Sequence, residues 1–242
     1  LGNVDCTVST NSAQRSCIFR FEYRPDSAFH LQRICINEMS MATARPSSTY
    51  APTVRLSIDY SNASIETERM RLTSISDCPV QLLEECQNLY KSPKAMQYYG
   101  ESRPQTDQET KQRLDTWAKR WQECDPFSGF KVCLKGSTSF VGTAVLGCSD
   151  GPGIAEFAIA LMPEFWRQGY GIECAAAIVE GYAGELFSRG KELNGAKFTK
   201  ISATARPENV ASWKCLERLG FTKDAEVKKH GHMRYQYSKS VS

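Results

Sequence analysis

Apolar and polar positions recur along this chain at two distinct periods. Between Thr53 and Tyr60 the apolar residues Val54, Leu56, Ile58 and Tyr60 alternate with polar ones, a period-two pattern that predicts a half-buried strand. Ser16 to Tyr23 reads as another strand-like run, Ala28 to Ala44 is ambiguous, and Ala-Arg-Pro-Ser-Ser at 44–48 reads as a loop. Arg69 to Ile75 alternates as a strand. Asp77 then stands where it can cap a helix whose Leu82, Leu83, Cys86 and Leu89 form one apolar face. Thr106 and Glu109 have capping-box spacing. In the helix that follows, Leu114, Trp117 and Trp121 recur at helical spacing, which assigns both tryptophans to the core. Phe130 to Leu134 and Ser139 to Leu146, joined by Lys135-Gly136-Ser137, predict a hairpin.

Further on, Ile154 to Leu161 is an apolar run interrupted by Glu156 and closed by Met162-Pro163. Phe165-Trp166-Arg167-Gln168-Gly169-Tyr170-Gly171 follows. A helix then starts whose Ile172, Ala175, Ala176, Val179, Tyr182, Ala183 and Leu186 fall at spacings of three and four. Phe198 to Thr204 predicts a strand, the residues up to Phe221 a second helix, and Phe221–Val227 with Met233–Tyr237 two more strands. Strands and helices in this succession give an α/β chain. Residues 1–64 differ in texture, rich in Ser, Thr and Asn, and read as an N-terminal extension, partly structured, before a domain over 65–242.

Of 242 residues, 41% are hydrophobic and 24% charged, which excludes a wholly disordered chain. Thirty Lys and Arg against 27 Asp and Glu leave a net charge of +3, too little for a dedicated nucleic-acid binder. No apolar run approaches the roughly 20 residues needed to span a bilayer, and the first 30 residues hold no apolar signal core, so a soluble, cytoplasmic protein without membrane partners is expected. The chain opens at Leu1 rather than Met, as a processed chain does. Its ten cysteines include no Cys-x-x-Cys pair, which argues for reduced, mostly buried thiols and against a metal site.

Strand, Gly-containing turn, then helix is the arrangement in which turn amides and the positive helix end converge on an anion, so a phosphate ligand is expected around Gly169 and Gly171. The spacing is neither G-x-G-x-x-G nor a P-loop. Forty residues later come Arg206-Pro207-Glu208-Asn209-Val210-Ala211-Ser212 and Leu219-Gly220-Phe221. Together with Thr67 to Leu72, the Glu156 strand and Pro163 to Glu173, these residues resemble the Gcn5-related N-acetyltransferase (GNAT) family. Within it they are similar to the branch of bacterial ribosomal-protein Nα-acetyltransferases. That branch commonly has Trp at position 166; it usually has Gly next, where this chain has Arg167, which keeps the amide but poses a question of local φ.

The resemblance, over residues 66–238, implies the GNAT fold. That fold is a central mixed, mostly antiparallel twisted sheet with a splayed parallel strand pair, flanked by helices. It also implies acetyl-CoA as cosubstrate, with no metal. Pantetheine would run along the backbone of Ile159 and Leu161. The pyrophosphate would lie near Trp166 on the amides of Arg167, Gln168, Gly169, Tyr170, Gly171 and Ile172, and Asn209 and Ser212 would face the pantetheine arm. Asn209 could equally cap its helix.

Glu156, which breaks the apolar run, is the candidate base, and burial beside the thioester would tune it; its structural reading is a carboxylate paired with an arginine. Many relatives place a Tyr where this chain has Leu216, which leaves Ser212 as the candidate proton donor to the thiolate, with direct release of the thiolate into solvent as the alternative. Cys215 reads as structural, without a partner to activate it, and His230 and His232 as a polar turn. The expected acceptor is a primary amine, on a protein N-terminus or a small molecule, and the chain a monomer or homodimer. The alternative is a catalytically inactive acyl-CoA-binding or partner-docking protein, suggested by Leu216, Arg167 and the extension.

Overall fold

The structure, a computed structural model, describes residues 54–59, 61–149 and 151–242. The strand-like run at 16–23, the stretch at 28–44 and the loop at 44–48 lie outside these residues. In chain order the described elements begin with β1 (Arg55–Ile58), β2 (Ala63–Glu66), β3 (Met70–Ser74), α1 (Val80–Lys91), α2 (Pro93–Met96) and α3 (Asp107–Gln122). The chain continues through β4 (Gly129–Leu134), β5 (Phe140–Cys148) and β6 (Ile154–Leu161) to α4 (Tyr170–Ala176), a π-helical stretch Ala177–Tyr182 and α5 (Ala183–Ser188). Last come β7 (Glu192–Leu193), β8 (Ala196–Lys197), β9 (Lys200–Ala205), α6 (Val210–Arg218), β10 (Thr222–Lys229) and β11 (His232–Ser240).

Nine of these strands form one sheet in the order β1-β2-β3-β4-β5-β6-β9-β11-β10. Every adjacent pair is antiparallel except β6 and β9, which run parallel. The strand predicted from Thr53 to Tyr60 is β1, at the sheet's edge, with Val54, Leu56 and Ile58 packed half-buried against the core. Thus residues 55–58 and 63–66 share the sheet with the rest of the described chain.

Two apolar faces make the core. On one, Ala175, Ala176, Val179, Tyr182, Ala183 and Leu186 are buried as their spacing requires, packed with Phe130, Phe157 and Phe198. On the other, Leu82, Cys86 and Leu89 of α1 meet Leu114 and Trp117 of α3. Trp121 is also buried, and its Nε1 donates to the Gly129 carbonyl at 2.9 Å. The Thr106–Glu109 capping box is present in both directions, as the spacing predicts.

Two predicted boundaries move for physical reasons. Asp77 does not cap α1; the helix starts at Val80 after Pro79, with no side-chain cap. A residue before proline is driven out of the α region, so Cys78 cannot be the first helical residue and the start is pushed past Pro79. The strand predicted at Phe198 to Thr204 begins at Lys200, because the Phe198 amide is taken by the Lys191 carbonyl and that of Thr199 by Gly153. Phe198 serves as a buried core residue instead.

At Gly129 the Trp117 ring of α3 lies against the backbone of β4. A Cβ there would lie 2.3 Å from Cδ2 of Trp117. Gly129→Ala is therefore expected to lower unfolding stability by about 1–3 kcal/mol through overpacking, measured by urea denaturation; an unchanged midpoint would show that the indole yields freely.

Candidate active site

The site is built where the parallel pair comes apart. β6 and β9 are in register at Ile154–Lys200, Ala155–Ile201 and Glu156–Ser202, and there the pairing stops. Beyond it β6 stays bonded only to β5, along Gly142–Leu161 to Cys148–Ala155. The Met162 amide donates to Val141 of β5. Strand alternation then turns the amides of Phe157, Ile159 and Leu161 the other way, into the gap.

A cleft of about 1200 Å³ fills that gap, lined by β6 residues from Glu156 to Leu161, by Ala203 to Ala205, and by Asn209 to Ser212. Trp166, Arg167 and Gly171 line its far end. Five residues of strand separate Glu156 from Leu161, so the two ends of the cleft stand roughly 16 Å apart.

The turn at the far end follows from its residues. After Met162, Pro163–Phe165 makes one 3₁₀ turn. Arg167 and Gly169 then adopt left-handed φ of 60° and 83°, and α4 begins at Tyr170 with no side chain capping its first amides. Positive φ at 167 and again at 169 curls successive amides around a concavity suited to an anion. The question raised by Arg167 in place of Gly is thus answered: the arginine takes the left-handed conformation and bears its steric cost, of order 1–2 kcal/mol. Trp166 Nε1 donates to the Leu161 carbonyl at 2.8 Å, the Gln168 side chain turns back to the Glu164 carbonyl at 2.6 Å, and the Tyr170 ring packs edge-on to Phe165. Ile172 packs half-buried on the core. Within the turn, Trp166, Arg167 and Gly171 line the cleft.

Three residues that sequence reasoning did not assign to the site lock this turn. Glu173, 3% exposed, accepts from Thr67 Oγ1 at 2.6 Å, from the Arg69 amide at 3.0 Å and from Arg69 Nε at 2.7 Å. Arg69 Nη1 reaches on to the Gln168 carbonyl at 2.8 Å, and its guanidinium lies 4.4 Å from the centre of the Tyr170 ring. Burial alone would raise the Glu173 pKa, but the donors from Thr67 and Arg69 outweigh it and hold the carboxyl below its usual range. No local signal pointed to this clamp. The partners are more than 100 residues apart, and an acidic residue in a first helical turn already has an explanation in the helix dipole.

At the other end Glu156 is half-buried and its Oε1 accepts from Lys229 Nζ at 2.7 Å. The expected ion pair is there, with lysine rather than arginine as partner. Asn209 Oδ1 accepts from the Ser212 amide, so it caps α6, and both residues also line the cleft. Leu216 is buried and lines the cleft where relatives carry Tyr. Burial pushes the Cys215 thiol up to about 11, which leaves it protonated and unsuited to covalent catalysis at neutral pH. His230, at φ 54°, forms the β10–β11 turn, and His232 Nε2 lies 3.2 Å from the Glu101 carbonyl. Among the described residues no three His, Cys, Asp or Glu side chains gather as a metal site, and no helix is long and apolar enough to cross a membrane.

The acetyltransferase (GNAT) domain family matches residues 71–222. The chain belongs to the GNAT acetyltransferase family. It is with that family an acetyl-CoA-dependent acyltransferase. No curated protein matches it by sequence. Among solved structures it is similar to a GNAT acetyltransferase from Bacillus anthracis, at 21% identity and a TM-score of 0.57 over 73% of this chain and 98% of that one. It is also similar to the Salmonella typhimurium acetyltransferase that modifies the N-terminal serine of a 50S ribosomal subunit protein (16%, TM-score 0.56, 72% and 96%). A third likeness is to a microcin self-immunity acetyltransferase in complex with acetyl-CoA and AMP (14%, TM-score 0.55, 72% and 93%). At these identities the likeness is one of fold.

Glu173→Gln tests the clamp. Because the folded carboxyl titrates below its unfolded value, its contribution is complete above about pH 4.5 and is lost as pH falls through the lower folded pKa. The variant is expected to be about 1–3 kcal/mol less stable at pH 7 and to lose part of the acid sensitivity of the wild type, read from melting temperatures between pH 7 and 3. Parallel stability–pH curves would contradict the clamp.

Proposed function

We propose that this GNAT protein transfers the acetyl group of acetyl-CoA to a primary amine, on a protein N-terminus or a small molecule, by direct attack in a ternary complex. The observation that carries this reading is the opening of β6 from β9, which turns the amides of Phe157, Ile159 and Leu161 into a cleft that ends at the Arg167–Gly169 turn. Those features fit the cosubstrate at both ends. Strand amides can pair with the amide groups of a pantetheine arm as an added strand would, and the curled turn amides with the Arg167 guanidinium suit its phosphates.

The amine must be neutral to attack. An α-amine of pKa about 7.8 is already about a quarter neutral at pH 7.4, whereas a lysine of pKa about 10.4 is neutral only about 0.1% of the time. One carboxylate is adequate help for the first and little for the second. Glu156 fills that role: Lys229 occupies one of its carboxylate oxygens and leaves Oε2 to accept the proton the nitrogen sheds. As the new N–C bond forms and the C–S bond breaks, strand amides face the charge that develops on the carbonyl oxygen. Ser212 stands on the cleft wall as a hydroxyl able to donate a proton to the departing sulfur. A docking protein with the same fold would need none of this chemistry beside Glu156.

Glu156→Gln is expected to lower kcat/KM for an α-amine about 10²-fold or more with CoA affinity unchanged, followed by thiol release and by calorimetry. Transfer at the wild-type rate would remove Glu156 from the mechanism, and tight CoA binding without transfer to any amine would favour the docking reading. Arg167→Gly separates strain from binding: unfolding stability is expected to rise by up to about 1 kcal/mol as the left-handed residue loses its Cβ, while CoA binds several-fold more weakly for want of a charged partner.

A further inference from the structure

The acceptor end of the cleft has a charge imbalance. A smaller cavity of about 480 Å³ adjoins it, and Gly100, Arg113, Thr116, Trp117 and His230 line both. Four glutamates line the two cavities, and each is ion-paired, though Glu101 and Glu109 share one arginine, so three bases serve four acids. Glu101 and Glu109 are both bonded to Arg103, Glu156 to Lys229, and Glu208 to Arg206.

At this end of the cleft two guanidinium groups in the same walls make no ion pair with a carboxylate among the described residues. Arg113, on α3, is cushioned by aromatic rings: its Cζ lies 5.0, 5.7 and 5.8 Å from the centres of Tyr90, Tyr99 and Trp117, and its Nε is buried without a hydrogen-bond partner. Arg234, on β11, is 4% exposed; Nη2 donates to the carbonyls of Tyr98 and Gly100 at 3.3 and 2.5 Å, and its Nε is likewise buried and unpartnered. Both cations therefore converge on the 98–100 segment at the mouth shared by the two cavities. Carbonyl dipoles account for one nitrogen of Arg234 and the rings for the flat face of Arg113. Neither places a carboxylate against Arg234, which is buried, or Arg113, which is half-buried, and with these two the walls at this end hold five bases to four acids.

We infer that the acceptor amine carries a carboxylate on the same molecule, and that Arg113 and Arg234 receive this carboxylate while the amine faces Glu156. This rests on the acetyl-transfer reading above and narrows its acceptor. The same chemistry can come from the α-carboxylate of a free amino acid or from an acidic side chain close to a peptide N-terminus. A neutral or basic acceptor would leave both cations unpaired, and a basic one would add repulsion.

The test uses the full chain with acetyl-CoA and two sets of acceptors, scored by thiol release. One set compares free amino acids with their amides; the other compares tripeptides carrying Asp or Glu at the second position with their Asn and Gln counterparts. In at least one set the carboxylate member is expected to show a kcat/KM at least about tenfold higher, the discrimination of a single charged hydrogen bond. The set that shows it identifies the source. Arg113→Met, which keeps the stem among the rings, is expected to bring that ratio toward one, and Arg113→Lys to retain part of it. Calorimetry of the same acceptors against CoA-saturated protein reads the preference without turnover. Equal use of acid and amide with transfer intact, or a ratio that survives Arg113→Met, overturns the inference and leaves the acetyl-transfer reading standing. Selective binding of carboxylates with no transfer to any amine overturns that reading and leaves the carboxylate site standing.

Discussion

A parallel strand pair that holds register for three residues and then parts is the constraint from which the rest of this molecule follows. Sheets conserve backbone hydrogen bonds, and a strand that leaves its neighbour in mid-sheet strands a row of donors and acceptors. In this protein β6 keeps β5 on one side and abandons β9 on the other after Glu156–Ser202. The polar groups so exposed line a cleft large enough for a ligand that supplies its own amides. The fold is therefore complete as a core and incomplete as a sheet, and the incompleteness is the site.

Holding such an opening requires rigidity at its ends. At one end the clamp of Glu173, Thr67 and Arg69 ties the first turn of α4 to the β2–β3 turn, and Arg69 reaches on to the Gln168 carbonyl within the curled turn between Trp166 and Tyr170. Arg167 sits in a left-handed conformation that its neighbours impose, and such strain persists only where the surrounding structure over-determines it. At the other end α6 is capped by Asn209, whose side chain satisfies the Ser212 amide within the same wall that lines the cleft. The same residues cap the helix and line the cleft because this part of the cleft wall is a helix terminus.

The Glu156 end of the cleft is rich in charged side chains. Its four glutamates share Arg103, Arg206 and Lys229, and two further cations, Arg113 and Arg234, are held among rings and carbonyls rather than in ion pairs.

The local patterns in the chain were sufficient for most elements: the capping box at Thr106, the stripe from Ala175 to Leu186, the hairpin around Gly136 and the turn before Tyr170 are each set by residues a few positions apart. Proline chemistry at Cys78-Pro79 was equally local, and it outweighed the capping potential of Asp77. A co-linear set of family residues located the cleft's lining at Glu156, Arg167, Gly171, Asn209 and Ser212. What only the tertiary structure decided are relations between residues far apart in the chain. These are the clamp of Glu173 with Thr67 and Arg69, the lysine that faces Glu156, the edge position of β1, and the pairing of every acid near Arg113 and Arg234 with some other base. Periodicity reports which face of an element is buried. It carries no information about which distant side chain a buried charge will meet, because that depends on sheet order and on where two strands part.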